Sequence, residues 1–119
     1  MIHPEEEWRA HLAAGRFMIQ RNARTGGAVF YPRIAEPGTG AQDLDWVEAS
    51  GRGTVHAVTV VRKKDPAESY NIVLVNLEEG PRLMSRIDGI DHDAIRIGAP
   101  VAARIVTEGD KPLLVFVPA

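Results

Sequence analysis

Residues 53–78, GTVHAVTVVRKKDPAESYNIVLVNLE, decide the fold. The runs at 53–62 and 70–78 are each of strand length and dense in Val, Ile and Leu, with Thr among them. β-Branched residues of this kind fit a pleated, half-buried surface. The polar KKDPAES between the runs is a loop by composition. Working toward the C-terminus, EGPR (79–82) is a tight turn into a third strand, RLMSRI (82–87). DGIDHDAIRIG (88–98) breaks the β pattern and has room for a single helical turn. APVAARIVTE (99–108), the turn EGDK (108–111) and KPLLVFVP (111–118) then supply two more strands. Five strands with a short irregular or helical piece between the third and fourth is the order of an OB-fold barrel. Closure also lets a short chain bury this many aliphatic residues, whereas an open sheet would leave long apolar edges exposed.

Working outward in the other direction, the pattern changes. HPEEEWRAHLAAG (3–15) reads as a helix: Pro4 is tolerated in a first turn and Glu5 to Glu7 suit the positive helix end. Trp8, His11 and Leu12 lie at helical spacing and Gly15 is a stop signal. RFMIQRN (16–22), the turn ARTGG, and AVFYPRI (28–34) predict a hairpin, with Pro32 confining its second strand to an edge. AEPGTGAQD (35–43) is loop by composition. LDWVEASGRG (44–53) offers apolar contacts from Leu44, Trp46 and Val47 before a Gly-bearing turn. The expected division is residues 1–46 for the helix and ribbon-like hairpin and 47–119 for the barrel.

The bulk composition bounds the chemistry. A chain of 119 residues is most economically one domain with one core. A formal net charge of −2 gives no whole-protein field that would gather a polyanion. The absence of Cys removes disulfides, thiolate nucleophiles and thiolate metal ligands together. No apolar run approaches the roughly 18 residues that cross a bilayer, and MIHPEEEWRA lacks the apolar centre of a secretory signal, so the expected location is cytoplasmic.

Taken in order, EWRAHLAAGRFMIQRN (7–22), FYPR (30–33), DLDWVEASGRGTVHAVTVV (43–61), VNLEEGPRLMSRIDG (75–89) and IRIGAPVAARIV (95–106) resemble one family along nearly the whole chain. That family, domain of unknown function thirty-five, joins an N-terminal helix and a rubredoxin-like zinc ribbon to an OB-fold, and accompanies thiolases and related acyl-CoA enzymes. Its ribbon reads Q-R-C-x-x-C-G, then aromatic-Pro-Pro-Arg, then C-P-x-C. Laid on this sequence, the four ligand positions are Asn22, Thr25, Glu36 and Thr39, and the ribbon's arginine is Arg33. A structural zinc site needs four soft or borderline donors, and these four cannot supply them. The resemblance therefore implies a ribbon that has lost its metal. In isolated finger peptides a zinc supplies on the order of 10 kcal/mol. Its replacement here must come from packing by Phe17, Ile19, Val29, Phe30 and Tyr31, from hydrogen bonds of Asn22, Thr25 and Thr39 to turn amides, or from a partner.

No catalytic constellation stands out. DGIDHD (88–93) places Asp88, Asp91, His92 and Asp93 close in sequence, but a helical-turn cap with His92 facing water is the simpler reading. The Gly-rich EPGTG and SGRG lack the Lys-Ser/Thr of a phosphate loop. Arg62, Lys63 and Lys64 form a solvated charged loop. Trp8, Arg21, Phe30, Tyr31, Arg33 and Trp46 combine arginines with aromatics in the N-terminal half, a pairing enriched at interface anchors and suited to phosphate. The resemblance thus implies a non-catalytic, metal-free accessory subunit of a hetero-oligomer. Its partner would be a thiolase-like or hydratase-like acyl-CoA enzyme, with a coenzyme A thioester as a shared ligand. The alternative is an OB-fold nucleic-acid-binding protein, which the acidic balance and the scarcity of barrel aromatics disfavour.

Overall fold

The computed structural model describes residues 4–30, 32 and 44–119. Helix α1 spans Pro4–Ala13 with its acids in the first turn, and Leu12 is its buried residue. It ends where Gly15 adopts φ 80°. There the Gly15 N–H reaches Leu12 O at 2.9 Å and the Arg16 N–H reaches His11 O at 2.9 Å. This doubly bonded glycine cap satisfies carbonyls that the helix end would leave open.

A small sheet follows, with β1 (Met18–Asn22) between β2 (Ala28–Val29) and β3 (Leu44–Glu48). The hairpin expected from the sequence is present, paired through Gln20↔Val29 and Arg21↔Ala28. Its second strand is shorter than the run AVFYPRI suggested and ends before Phe30. The third strand was not anticipated. LDWVE pairs with β1 along its whole length, from Met18↔Glu48 to Asn22↔Leu44. Asp and Glu weaken any local β signal there, and the strand exists because β1 offers it an antiparallel edge.

The five remaining strands are β4 (Arg52–Val61), β5 (Tyr70–Leu77), β6 (Arg82–Ser85), β7 (Pro100–Glu108) and β8 (Lys111–Pro118), in the order β6-β5-β4-β7-β8. Each lies within about two residues of its sequence-derived span. A bulge between Val55 and Ala57 lets β4 curl, so its first residues, Arg52–Thr54, pair with β7 while Gly53 to Val61 run along β5. Gly53 sits at this crossing: a Cβ there would lie 2.7 Å from both Asn76 O and Val75 Cγ1. The barrel closes between the sheet's two edge strands, β6 and β8, through a parallel bridge just past β6, Ile87↔Phe116. Three bonds flank that bridge: Asp88 N–H to Phe116 O (2.9 Å), Phe116 N–H to Arg86 O (3.0 Å) and Ser85 Oγ–H to Leu114 O (3.0 Å). The chain is thus mainly β, with a closed five-stranded OB barrel, and the piece between its third and fourth strands carries a 3₁₀ turn at His92–Ala94.

One core joins the parts. Leu12, Phe17 and Ile19 belong to the same buried cluster as Val55, Val73, Val101 and Phe116. The sheets change over between Glu48 and Arg52, whereas the division expected at 46/47 falls inside β3.

Asn71 is buried polar in that core, 5% exposed. Its Oδ1 accepts the Ile87 N–H (2.8 Å) and its Nδ2 donates to Ile87 O (3.0 Å). The side-chain amide thereby replaces a strand neighbour just past the end of β6. The second Nδ2 hydrogen reaches His92 Nδ1 (3.1 Å), which leaves His92 Nε2 to donate to Ser69 O (3.2 Å). Replacing Asn71→Leu strands two buried backbone groups, and it is expected to lower stability by about 1–3 kcal/mol. Urea unfolding with an unchanged m-value checks this; an unaltered midpoint would show that the amide does not hold the closure.

Candidate functional site

Two places carry chemistry worth building up, the knuckle of the small sheet and a groove beside the barrel seam. In the knuckle, Asn22 is 4% exposed at the end of β1. Its Oδ1 accepts the backbone N–H of Arg24 (2.9 Å) and of Thr25 (3.3 Å). Thr25 Oγ1 accepts the Gly27 N–H at 3.2 Å, and the turn is completed by Asn22 N–H to Gly27 O and Gly26 N–H to Asn22 O, each 2.8 Å. Gly26 takes φ 76°, which a side chain would resist. The oxygens at both first-pair ligand positions are therefore engaged with turn amides. Neutral oxygens so occupied do not fit a structural zinc, and no group of three or more metal-binding side chains gathers among the described residues. Glu36 and Thr39 lie outside those residues. Beneath the turn, Phe17, Ile19 and Val29 are buried and Phe30 packs on the same cluster. Four of the five packing residues named from sequence so form the support; Tyr31 lies outside the described residues.

The groove, of about 1060 Å³, runs between α1 on one side and β6 and β8 on the other. Its deep wall is Leu12, Leu83 and Leu114, all core residues at 6% exposure or less. Trp8 and Phe30 form one end in an edge-to-face pair with centroids 5.6 Å apart. The Trp8 Nε1–H is buried and has no hydrogen-bond partner among the described residues. The rim carries Glu5 and Arg9, paired to each other at 2.8 Å, together with Glu108 and Lys111. Glu108 is held by Arg86 at 2.6 Å, and Arg86 also grips Asp88 at 2.9 Å. These partners, Glu108 foremost and then Asp88, make the guanidinium still harder to deprotonate than a free arginine. The cluster clamps the β7–β8 turn onto the closing strand and defines that side of the rim.

Of the six arginine and aromatic residues singled out from sequence, the groove unites Trp8 and Phe30. Trp46 lies elsewhere, on β3, with its ring 5.3 Å from His11. Arg21 is exposed on β1, between Ala28 and Asp45. Tyr31 and Arg33 fall outside the described residues. Sequence reasoning missed Leu83, Leu114 and Lys111, whose common face exists only once the barrel is closed.

The remaining candidates resolve simply. His92 does not face water as a bare helical-turn residue would; both its ring nitrogens are spent on Asn71 and Ser69 O, which leaves no lone pair for a base. Asp91 occupies the cap position of that turn without a side-chain cap bond. Arg62 is paired with Asp93. Of the two barrel aromatics, Phe116 is fully buried and Tyr70 alone reaches the surface, 45% exposed, so the barrel face lacks the successive stacking rings of single-strand binders.

A helix, a three-stranded sheet and an OB barrel sharing one core define the class of this protein. A family model described as the C-terminal OB-fold domain of ChsH2 matches residues 46–106. A DUF35 domain-containing scaffold protein of Methanothermobacter thermautotrophicus is 38% identical over 99 residues, 72% of this chain and 74% of that one. A probable enoyl-CoA hydratase alpha subunit of Thermomonospora curvata is 37% identical over 116 residues, 94% of this chain but only 36% of that protein. The chain therefore spans little more than a third of that hydratase subunit. Among solved structures, one described as the Ltp2-ChsH2(DUF35) aldolase superposes with a TM-score of 0.85 at 33% identity, covering 99% of this chain and 96% of that one. The chain belongs to the DUF35 family.

The knuckle yields a direct expectation. Asn22→Ala removes the acceptor of two turn amides and should cost about 1–2 kcal/mol, while Asn22→Asp, which keeps an acceptor oxygen, should cost less. Thermal unfolding of the three proteins, with and without added zinc, measures both points. A melting temperature raised by zinc in the parent chain would contradict the donor chemistry above.

Proposed function

We propose that this chain is a non-catalytic accessory subunit that docks on an acyl-CoA-handling enzyme, hydratase-like or thiolase-like, and helps shape the channel for its thioester substrate. The observation that carries the reading is the full-length likeness, TM-score 0.85, to the DUF35 component of an aldolase assembly. The hydratase alpha subunit and the scaffold protein support it from sequence. The chain's own chemistry agrees: it has no Cys, its one half-buried histidine network is spent on structure, and its knuckle is built from hydrogen bonds. The partner enzyme supplies the reacting groups, and this subunit supplies surface and position. Fold alone does not assign this role; the family and the site together support it.

Co-expression with a hydratase-like or thiolase-like acyl-CoA enzyme, followed by size-exclusion chromatography with light scattering, is expected to give a stoichiometric complex. The lone chain is expected to leave acyl-CoA substrates unchanged. Turnover by the lone chain, abolished by His92→Ala, or failure to associate with any such enzyme, would overturn the reading. Binding of single-stranded oligonucleotides that falls steeply with salt would favour the nucleic-acid class instead.

A further inference from the structure

We propose that the outer wall of the barrel on β4 and β5, bordered at one end by Arg82, is the surface on which a partner protein docks. The partner meets it with an apolar patch that carries a carboxylate. The proposal deepens the accessory-subunit reading and rests on it for the partner's identity, an acyl-CoA-handling enzyme.

Side chains along β5 alternate. Asn71, Val73, Val75 and Leu77 are buried inside the barrel, and Tyr70, Ile72, Leu74 and Asn76 point outward. The β4 residues opposite that outward set are Val61, Thr59, Ala57 and Thr54, and residues directly opposite one another share a face. An antiparallel sheet with one side in water alternates apolar inside with polar outside. This wall departs from that rule, because its middle is Ala57, Val61, Tyr70, Ile72 and Leu74. Tyr70 is 45% exposed and the other four are half-buried. Among the described elements, α1 lies on β8 and β1, and the small sheet meets β4 and β5 from the core side, so neither covers the wall. A contiguous apolar patch with a polar border marks an interaction surface.

The border defines the partner's chemistry. Arg82 on β6 lies opposite Asn76, whose Oδ1 accepts the Arg82 Nε–H at 2.8 Å, and Asn76 Nδ2 lies 3.4 Å from His56 Nδ1 in the β4 bulge. This row crosses three strands and holds the guanidinium by one nitrogen. Its two terminal nitrogens make no hydrogen bond or ion pair among the described residues, and they form the fork that a carboxylate fills with two bonds. The adjoining turn has two acids, but both are engaged elsewhere. Glu78 pairs with Arg52 at 2.8 Å; Glu79 accepts the Ser50 N–H at 2.7 Å, and its other oxygen is shut off from solvent. At the far end the charges balance, Arg62 against Asp93 and Lys63 and Lys64 against Asp65 and Glu68. A second copy of this chain would bring another Arg82 to the wall and no acid to meet it, leaving two desolvated cations unpaired. A single strand of nucleic acid would find one exposed ring, Tyr70, where it needs several. A protein surface with apolar anchors and one carboxylate fits both the patch and its border.

Isothermal titration of the intact 119-residue chain into a purified hydratase-like or thiolase-like acyl-CoA enzyme tests the surface. Leu74→Arg and Tyr70→Glu should each weaken the complex by about tenfold or more, and Arg82→Glu by about tenfold. Arg82→Lys, which keeps the charge and loses the fork, should weaken it less. Arg104→Glu, an exposed position on β7 outside this wall, should leave it unchanged. All of these positions lie on the outside of the barrel, so the variants are expected to melt within a few degrees of the parent chain. Tyr70→Glu, at the most exposed of the five central positions, keeps the test decisive if Leu74→Arg costs stability. A complex indifferent to both Leu74→Arg and Tyr70→Glu overturns the proposal and leaves the accessory reading standing. A parent chain that assembles with no such enzyme removes both. A dimer of the lone chain, or oligonucleotide binding, that Leu74→Arg abolishes would give the wall to another occupant and overturn the proposal as well.

Discussion

The structure hangs on the closure at Ile87. Its backbone is held on one side by the Asn71 amide through two bonds, and it faces Phe116 across the parallel bridge on the other. A five-stranded sheet that failed to close would expose the edges of β6 and β8 and open the cluster around Val73, Val75 and Phe116 to water. A side chain does here what a sixth strand would do elsewhere, and it can do so only while fully desolvated and fully bonded. The same amide fixes His92, so the 3₁₀ turn that caps the barrel is tied to the closure.

A second constraint is the way the knuckle holds its shape. It draws that shape from an acceptor oxygen on Asn22, from Gly26 at positive φ, and from β3 laid along the whole of β1. Phe17 and Ile19, with Ala28, Phe30 and Val47 packed against them, join the small sheet to the barrel in one continuous cluster, which makes that sheet part of the core.

The groove follows from closure and docking together. Strands that meet at Ser85–Leu114 and part beyond it leave a slot, and α1 roofs the slot with Trp8 and Leu12. The helix has a narrow apolar stripe and little drive to form alone. It is held by what it covers, and this positions Trp8 against Phe30.

Much of this was legible in the chain alone. The five barrel strands could be read because β-branched runs of strand length are bounded by Gly, Pro and charged turns, signals that are local. Helix α1 and its stop at Gly15 were legible for the same reason, and the missing cysteines settled the donor chemistry at once. Strand β3 was not legible, since LDWVE becomes a strand by pairing with β1 more than twenty residues away. Nor was the second hairpin strand's early end, or the role of Asn71, which looks like any polar residue in a strand until Ile87 is brought beside it. The groove lay furthest from view: Leu12, Leu83, Leu114 and Lys111 come from three separate stretches of chain, and only tertiary closure makes them neighbours. Sequence determined which elements form, because propensity and periodicity act over a few residues. Tertiary structure decided which surfaces meet, because that depends on contacts that no short window contains.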